Sequence, residues 1–142
     1  MMTATCTRVA LGAALACAWT FTAQAAEPRG AKDGAYNAAQ VKRGAAIYAT
    51  KCETCHGPKL TAGEAPPLAG AEFMANWSAY SVGDLFEKTR NTMPANDPKS
   101  LSNQEYADII ALILSANQFP SGSSELPGTP ERLKQIRFES AK

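Results

Sequence analysis

The residues with the clearest chemistry stand in one short stretch, Cys52-Glu53-Thr54-Cys55-His56. Two cysteines with two residues between them, followed at once by histidine, read as an attachment site for a c-type haem. The two thiols can form thioethers with the vinyl groups of one haem, and the adjacent imidazole can reach its iron as proximal ligand. His56 is the chain's one histidine. Neither a His-rich zinc site, a second haem with its own histidine, nor a separate Ser-His-Asp triad can therefore be assembled. A structural zinc site usually needs four Cys or His ligands. Once an N-terminal leader is removed the chain offers three: Cys52, Cys55 and His56. A thioredoxin-like dithiol would sit beside alternating strand and helix patterns, and the sequence carries no convincing strand.

The other side of the iron decides what such a haem does. Beyond the leader the chain has two methionines, Met74 and Met93. Met93 lies in Thr92-Met93-Pro94, where the proline biases it away from helical geometry and towards a loop that can present a thioether. Met74 sits between Phe73 and Trp77, where a flexible apolar side chain fills gaps in a core. Met93 is thus the expected sixth ligand, the alternative being a buried methionine beside an open or water-ligated iron. A soft thioether favours the ferrous state and raises the potential. With both axial positions filled, the chemistry left is outer-sphere electron transfer.

Helices must position these groups. The first is expected from about Ala38 to Thr50, with Val41, Gly44, Ala45 and Tyr48 on one face. Gly44 inside it costs about 1 kcal/mol against alanine, which close approach of another helix would explain. From Gly57 to Gly70 the prolines and glycines mark a loop. Phe73 with Met74 and Trp77 with Tyr80 follow as apolar groups. Ser81 and Asp84 resemble a capping box for a short helix ending near Asn91, with Val82, Leu85, Phe86 and Thr89 buried and Met93-Pro94 stopping it. Ser102 and Glu105 make a second capping box, with Leu101 and Tyr106 as its hydrophobic staple. Tyr106, Ile109, Ile110, Ile113 and Leu114 then give an unbroken apolar stripe to about Ala116.

The ends of the chain are read differently. Residues 1–25 look like a cleaved export signal: Arg8, an apolar stretch from Val9 to Phe21, then Ala23-Gln24-Ala25 as small-x-small. The apolar run falls short of the roughly 20 residues that span a bilayer, so the mature form should lack a transmembrane span; an uncleaved anchor is the alternative. Cys6 and Cys17 would leave with the signal, and Ala14-Leu15-Ala16 does not favour a lipoprotein site at Cys17. Cleavage leaves 117 residues, one small domain, with 13 basic and 13 acidic side chains. Nothing in that balance suggests a nucleic-acid partner, whose binding normally shows a basic stripe. Residues 26–37 are expected as a flexible lead-in, 38–120 as the domain, and 121–142 as a Pro/Gly-rich tail. A short helix at 131–138 would use Leu133, Ile136 and Phe138 as contacts.

Gly44 with Tyr48, Cys52-x-x-Cys55-His56-Gly57, Pro66-Pro67-Leu68, Thr92-Met93-Pro94 and the Tyr106–Leu114 helix together resemble a class I c-type cytochrome. The resemblance covers essentially the whole mature domain. It implies an all-α fold of about three to five helices wrapped around one covalent haem c, with the first and last helices crossing at Gly44. It also implies that the Pro66 carbonyl holds the outer nitrogen of His56, that Leu68 packs on the haem face, and that Trp77 packs near the haem or reaches a propionate. Haem is attached to such proteins outside the cytoplasm in bacteria, which agrees with the leader and implies a periplasmic location. Pro67-Leu68-Ala69-Gly70 with Phe73 and Trp77, and Tyr106-Ala107-Asp108-Ile109-Ile110 with Asn117-Gln118-Phe119-Pro120, are similar to the same stretches of small cytochromes serving quinoprotein dehydrogenases or sulfur-compound oxidation. The implied partners are a redox donor and acceptor on a path towards the respiratory chain. The alternative is a haem enzyme in which labile Met93 ligation opens the iron to peroxide or sulfur compounds.

Overall fold

The structure, a computed structural model, describes residues 30–61 and 63–138. The expected export signal and its cleavage site lie outside the described residues. Among the described residues six α-helices follow one another: α1 (Ala38–Lys51), α2 (Glu53–His56), α3 (Ala71–Trp77), α4 (Val82–Thr92), α5 (Asn103–Ala116) and α6 (Pro130–Leu133). Among the described residues there is no strand, only isolated bridges from Arg137 to Gly30 and to Ser81. The all-α expectation holds, with more helices than expected. The short helix expected at 131–138 is α6, whereas α2, with four residues, is too short to leave a 3.6-residue pattern in the sequence. No helix among the described residues is long and apolar enough to cross a membrane.

Local capping sets the three long helices. Asn37 caps α1 by accepting the Gln40 N–H at 3.0 Å. Ser81 and Asp84 form a complete capping box on α4: the Asp84 N–H donates to Ser81 Oγ at 3.1 Å, and the Ser81 N–H to Asp84 Oδ2 at 2.8 Å. The Ser81 hydroxyl, which donates to Asp84 Oδ2 at 2.7 Å, and then the Ser81 N–H hold the Asp84 carboxyl below its usual range. Ser102 and Glu105 repeat the arrangement on α5, and there too the carboxyl is lowered by the bonds from Ser102. Each such cap is worth about 1 kcal/mol.

The centre of the fold is the crossing of α1 over α5. Gly44 lies directly on the backbone of α5, where a Cβ would collide with the Asp108 carbonyl. The face of α1 turned inwards is Gln40, Gly44 and Tyr48, with Ala45 exposed. Of the expected stripe of Val41, Gly44, Ala45 and Tyr48, Ala45 is the correction, while Val41 packs half-buried against the core. Gln40 explains the rotation, because its fully buried carboxamide has partners inside. Its Nε2 donates to Asp108 Oδ1 and to the Leu126 carbonyl, each at 3.1 Å, and its Oε1 accepts the Leu126 N–H at 2.7 Å. Arg43 closes the network with Nε and Nη2 on Asp108, at 2.7 and 3.0 Å, and with Glu125 beyond. A buried polar group with every bond made does not oppose folding.

α5 supplies the apolar side: Tyr106, Ile109, Ile110, Ile113 and Leu114 are all buried. Full burial of each aliphatic side chain is worth about 1.5–3 kcal/mol. They meet Leu85 and Phe86 of α4, Phe73 of α3, and Leu126, Leu133, Ile136 and Phe138 of the tail.

The two flanking segments also join the core. Residues 30–37, expected as a loose lead-in, bury Ala31, Ala35 and Tyr36. Ala31 donates to the Arg137 carbonyl at 2.8 Å, and Gly122 donates to the Tyr36 carbonyl at 2.6 Å. The Pro/Gly-rich tail therefore pairs with the lead-in rather than trailing from the domain. Its last described stretch pins the start of α4, through Val82 N–H to Ile136 O at 2.8 Å and Lys134 to Glu87 at 3.0 Å.

Candidate functional site

The chain passes from α1 into α2 at Cys52, the cap of both helices. Cys52 and Cys55 stand three residues apart on one helical turn and so on one side of it. Cys52 is half-buried and Cys55 exposed. Burial, and then the nearby Cys55, pushes the Cys52 thiol up to about 11. A redox-active or metal-binding cysteine needs the opposite shift, towards thiolate. Among the described residues, no group of three or more His, Cys, Asp and Glu side chains could hold a metal ion.

His56 ends α2 and is buried. Its Nδ1 lies 2.9 Å from the Pro66 carbonyl oxygen. A carbonyl can only accept, so Nδ1 carries the proton and Nε2 keeps its lone pair for a ligand. Gly57 follows at φ +74°, in the left-handed region that suits glycine, and turns the chain sharply after the histidine. Tyr48 of α1 donates its hydroxyl to the Gly57 carbonyl at 2.6 Å, tying that turn to the helix before it.

The Pro66 carbonyl depends on the loop that holds it. Ala65 donates to the Cys55 carbonyl at 3.1 Å, and Leu68 and Ala69 both donate to the Leu60 carbonyl, at 2.7 and 3.1 Å. From the far side, Asn117 at the end of α5 accepts the Gly70 N–H at 3.0 Å through Oδ1. Its Nδ2 donates to the Leu68 carbonyl at 3.0 Å and to that of Ile113 at 2.8 Å. Cys52, Cys55, His56, Pro66 and Leu68 are thus brought into one hydrogen-bonded unit.

Met93 comes from a separate element. It closes α4 in extended geometry, φ −128° and ψ 150°, as the following proline favours. Its N–H donates to the Thr89 carbonyl at 2.8 Å, and its carbonyl accepts the Tyr106 hydroxyl at 2.8 Å. Leu68, Met74 and Trp77 are half-buried against the core. Trp77 stacks on Phe73 at 6.2 Å and meets Tyr80 edge-on at 5.8 Å.

Two residues of this arrangement have functions that the sequence did not disclose. Tyr106 reads as part of the apolar stripe and a staple, and nothing in its spacing points to the Met93 carbonyl. Asn117 reads as a residue just past a helix, and its hold on a loop 47 residues earlier is a long-range contact. The donor set suits a haem c: two thiols on one helical turn, an imidazole with Nε2 free to bind, and a loop methionine held at its backbone.

Residues 39–113, more than half of the chain, match the family model described as cytochrome C oxidase, cbb3-type, subunit III. No curated protein and no solved structure shows a significant match.

Proposed function

The chain belongs to that family and is a monohaem c-type cytochrome with one covalently bound haem c, and from this premise we propose that it is an exported periplasmic electron carrier with His–Met ligation. The haem supplies a reversible one-electron couple. Cys52 and Cys55 would hold it by thioethers, and His56 Nε2 and the Met93 thioether would bind its iron. Leu68 and Trp77 would pack against it. The observation that carries this reading is the 2.9 Å contact between His56 Nδ1 and Pro66 O. It fixes the tautomer and the ring orientation that an iron ligand needs, and the sequence places it immediately beside the two thiols.

Donor and acceptor are redox proteins. The similarity of the Pro67–Trp77 and Tyr106–Pro120 stretches to dehydrogenase-linked and sulfur-oxidation cytochromes supports a donor of that kind. The family's description as an oxidase subunit supports the respiratory chain as destination.

Optical spectra of the holoprotein and of Met93→Ala test the ligand set. The oxidised wild-type protein is expected to show a weak far-red band that bleaches on reduction, and the reduced form should ignore carbon monoxide. Met93→Ala should lose the band, bind carbon monoxide, and fall in potential by on the order of 100 mV, a fraction of the range that axial ligands command. An unchanged band and potential in Met93→Ala would remove Met93 from the iron. Rapid carbon monoxide binding by the wild-type protein would favour an enzyme with an open sixth position.

A further inference from the structure

Of the site residues, Met93 is the one with least support from its own chain. It caps α4 just past the helix's last residue, Thr92, is already extended, and its N–H to Thr89 is the final helical bond. What holds the next atoms is the Tyr106 hydroxyl, 2.8 Å from the Met93 carbonyl oxygen. Tyr106 is fully buried in the first turns of α5. Its ring meets Phe86 of α4 edge-on, with centroids 6.2 Å apart, so the phenol cannot swing without disturbing both helices. α5 itself is anchored from the other side, where Gly44 of α1 lies on the Asp108 carbonyl. The hydroxyl is therefore a donor at a set position, aimed at the peptide that carries the thioether. A buried phenol needs a hydrogen-bond partner, and the methionine's own carbonyl is the one it has.

We infer that Tyr106 is a positioning residue for Met93: its hydroxyl fixes the Met93 carbonyl and thereby where the thioether stands. The inference rests on the reading of Met93 as sixth ligand. It assigns the hydroxyl a job that the apolar ring does not share. The ring packs α4 on α5, and the hydroxyl keeps the end of α4 from drifting. Without it the Met93 carbonyl would lose a partner, and the segment would sample positions in which the sulfur is withdrawn.

Tyr106→Phe separates the two jobs, because the ring and its contact with Phe86 remain. In the reduced holoprotein, carbon monoxide should bind about 2- to 12-fold faster than in wild type, the factor equivalent to one net hydrogen bond. The midpoint potential should shift downwards in parallel. In a Met93→Ala background the same change should leave the carbon monoxide rate unaltered, since no thioether is left to position. Equal acceleration in both backgrounds would mean that the hydroxyl acts elsewhere, and would overturn the inference. So would a lowered unfolding temperature with wild-type carbon monoxide binding and potential, which is the mark of a purely structural bond. If Met93→Ala keeps the far-red band, the ligand reading falls and the inference with it. If Met93→Ala loses the band while Tyr106→Phe behaves as wild type, the inference alone is overturned.

Discussion

His56 ends a helical turn and is tied from several directions, whereas Met93 ends a helix in extended geometry and is tied at its two backbone atoms. On the histidine side, the ring bonds to Pro66 O at 2.9 Å, the next carbonyl accepts from Tyr48 at 2.6 Å, and the loop bearing Pro66 is braced by Leu60 and Asn117. On the methionine side, Thr89 and Tyr106 hold the peptide. The asymmetry has a physical reading. Several independent bonds must fail together before the imidazole moves, but one or two suffice for the thioether. Local opening follows the elements with fewest buried contacts and bonds. The methionine side should therefore yield first to heat, alkali or a competing ligand.

The largest expected effect comes from removing the distinction altogether. Gly44→Val drives a branched side chain into the Asp108 carbonyl, so α1 must move off α5. Tyr48 leaves with α1, while Tyr106 and Asn117 move relative to it on α5, so both sides loosen together. A loss on the order of 3 kcal/mol, the upper part of the overpacking range, is expected in denaturant unfolding. The far-red band and resistance to carbon monoxide should disappear in one transition. If the band survives at full strength in a protein destabilised this far, the crossing does not govern the site.

Asn117→Ala sharpens the contrast instead. It removes three hydrogen bonds from the proximal loop and the end of α5, and should lower stability by about 2 kcal/mol. Because His56 keeps Pro66, Gly57 and its own helical turn, carbon monoxide binding should stay at the wild-type rate. A faster rate would show that the two sides are not independent.

What could be read from the sequence follows from the range of each interaction. The capping boxes at Ser81/Asp84 and Ser102/Glu105, the stripe along α5 and the Cys52-x-x-Cys55-His56 run are each written within a few residues, and all are present as expected. Gly44 was legible for a different reason: a glycine inside a good helix asks for a cause, and the cause is a backbone across from it. The helix α3 was missed because it follows Gly70 with no side-chain cap and has only seven residues. The lead-in and the tail looked loose because what orders them lies far along the chain. Ala31 with Arg137 and Tyr36 with Gly122 are such pairs, and Gln40 with Leu126 is another. A segment rich in Gly and Pro has no periodicity to show which of its residues will be buried. The same applies to Tyr106. Its burial was plain from the stripe, but the acceptor for its hydroxyl lies on another helix's end, and only the fold brings the two together.

The smallest expected effect tests the tie between α1 and the turn after His56, and it depends on pH. Tyr48→Phe removes the hydroxyl from the Gly57 carbonyl and should cost about 1 kcal/mol near neutral pH. Burial first, then the negative charges of Cys52 and Glu53, push the Tyr48 phenol up to about 12 from its usual 10. Thioether formation removes the Cys52 charge and leaves burial as the principal cause. A group whose folded value is raised contributes stability that is fully present below the unfolded value and is lost as pH rises through the folded one. The stability gap between wild type and Tyr48→Phe should therefore be constant up to about pH 10 and shrink from there to about pH 12. Over the same range the phenylalanine variant escapes this part of the alkaline loss. Urea unfolding of both proteins from pH 8 to pH 12 measures the gap. A gap that stays flat to pH 12 would mean that the Tyr48 hydroxyl is not buried in a bond on the proximal side, and the case for the better-braced histidine would weaken by that one tie.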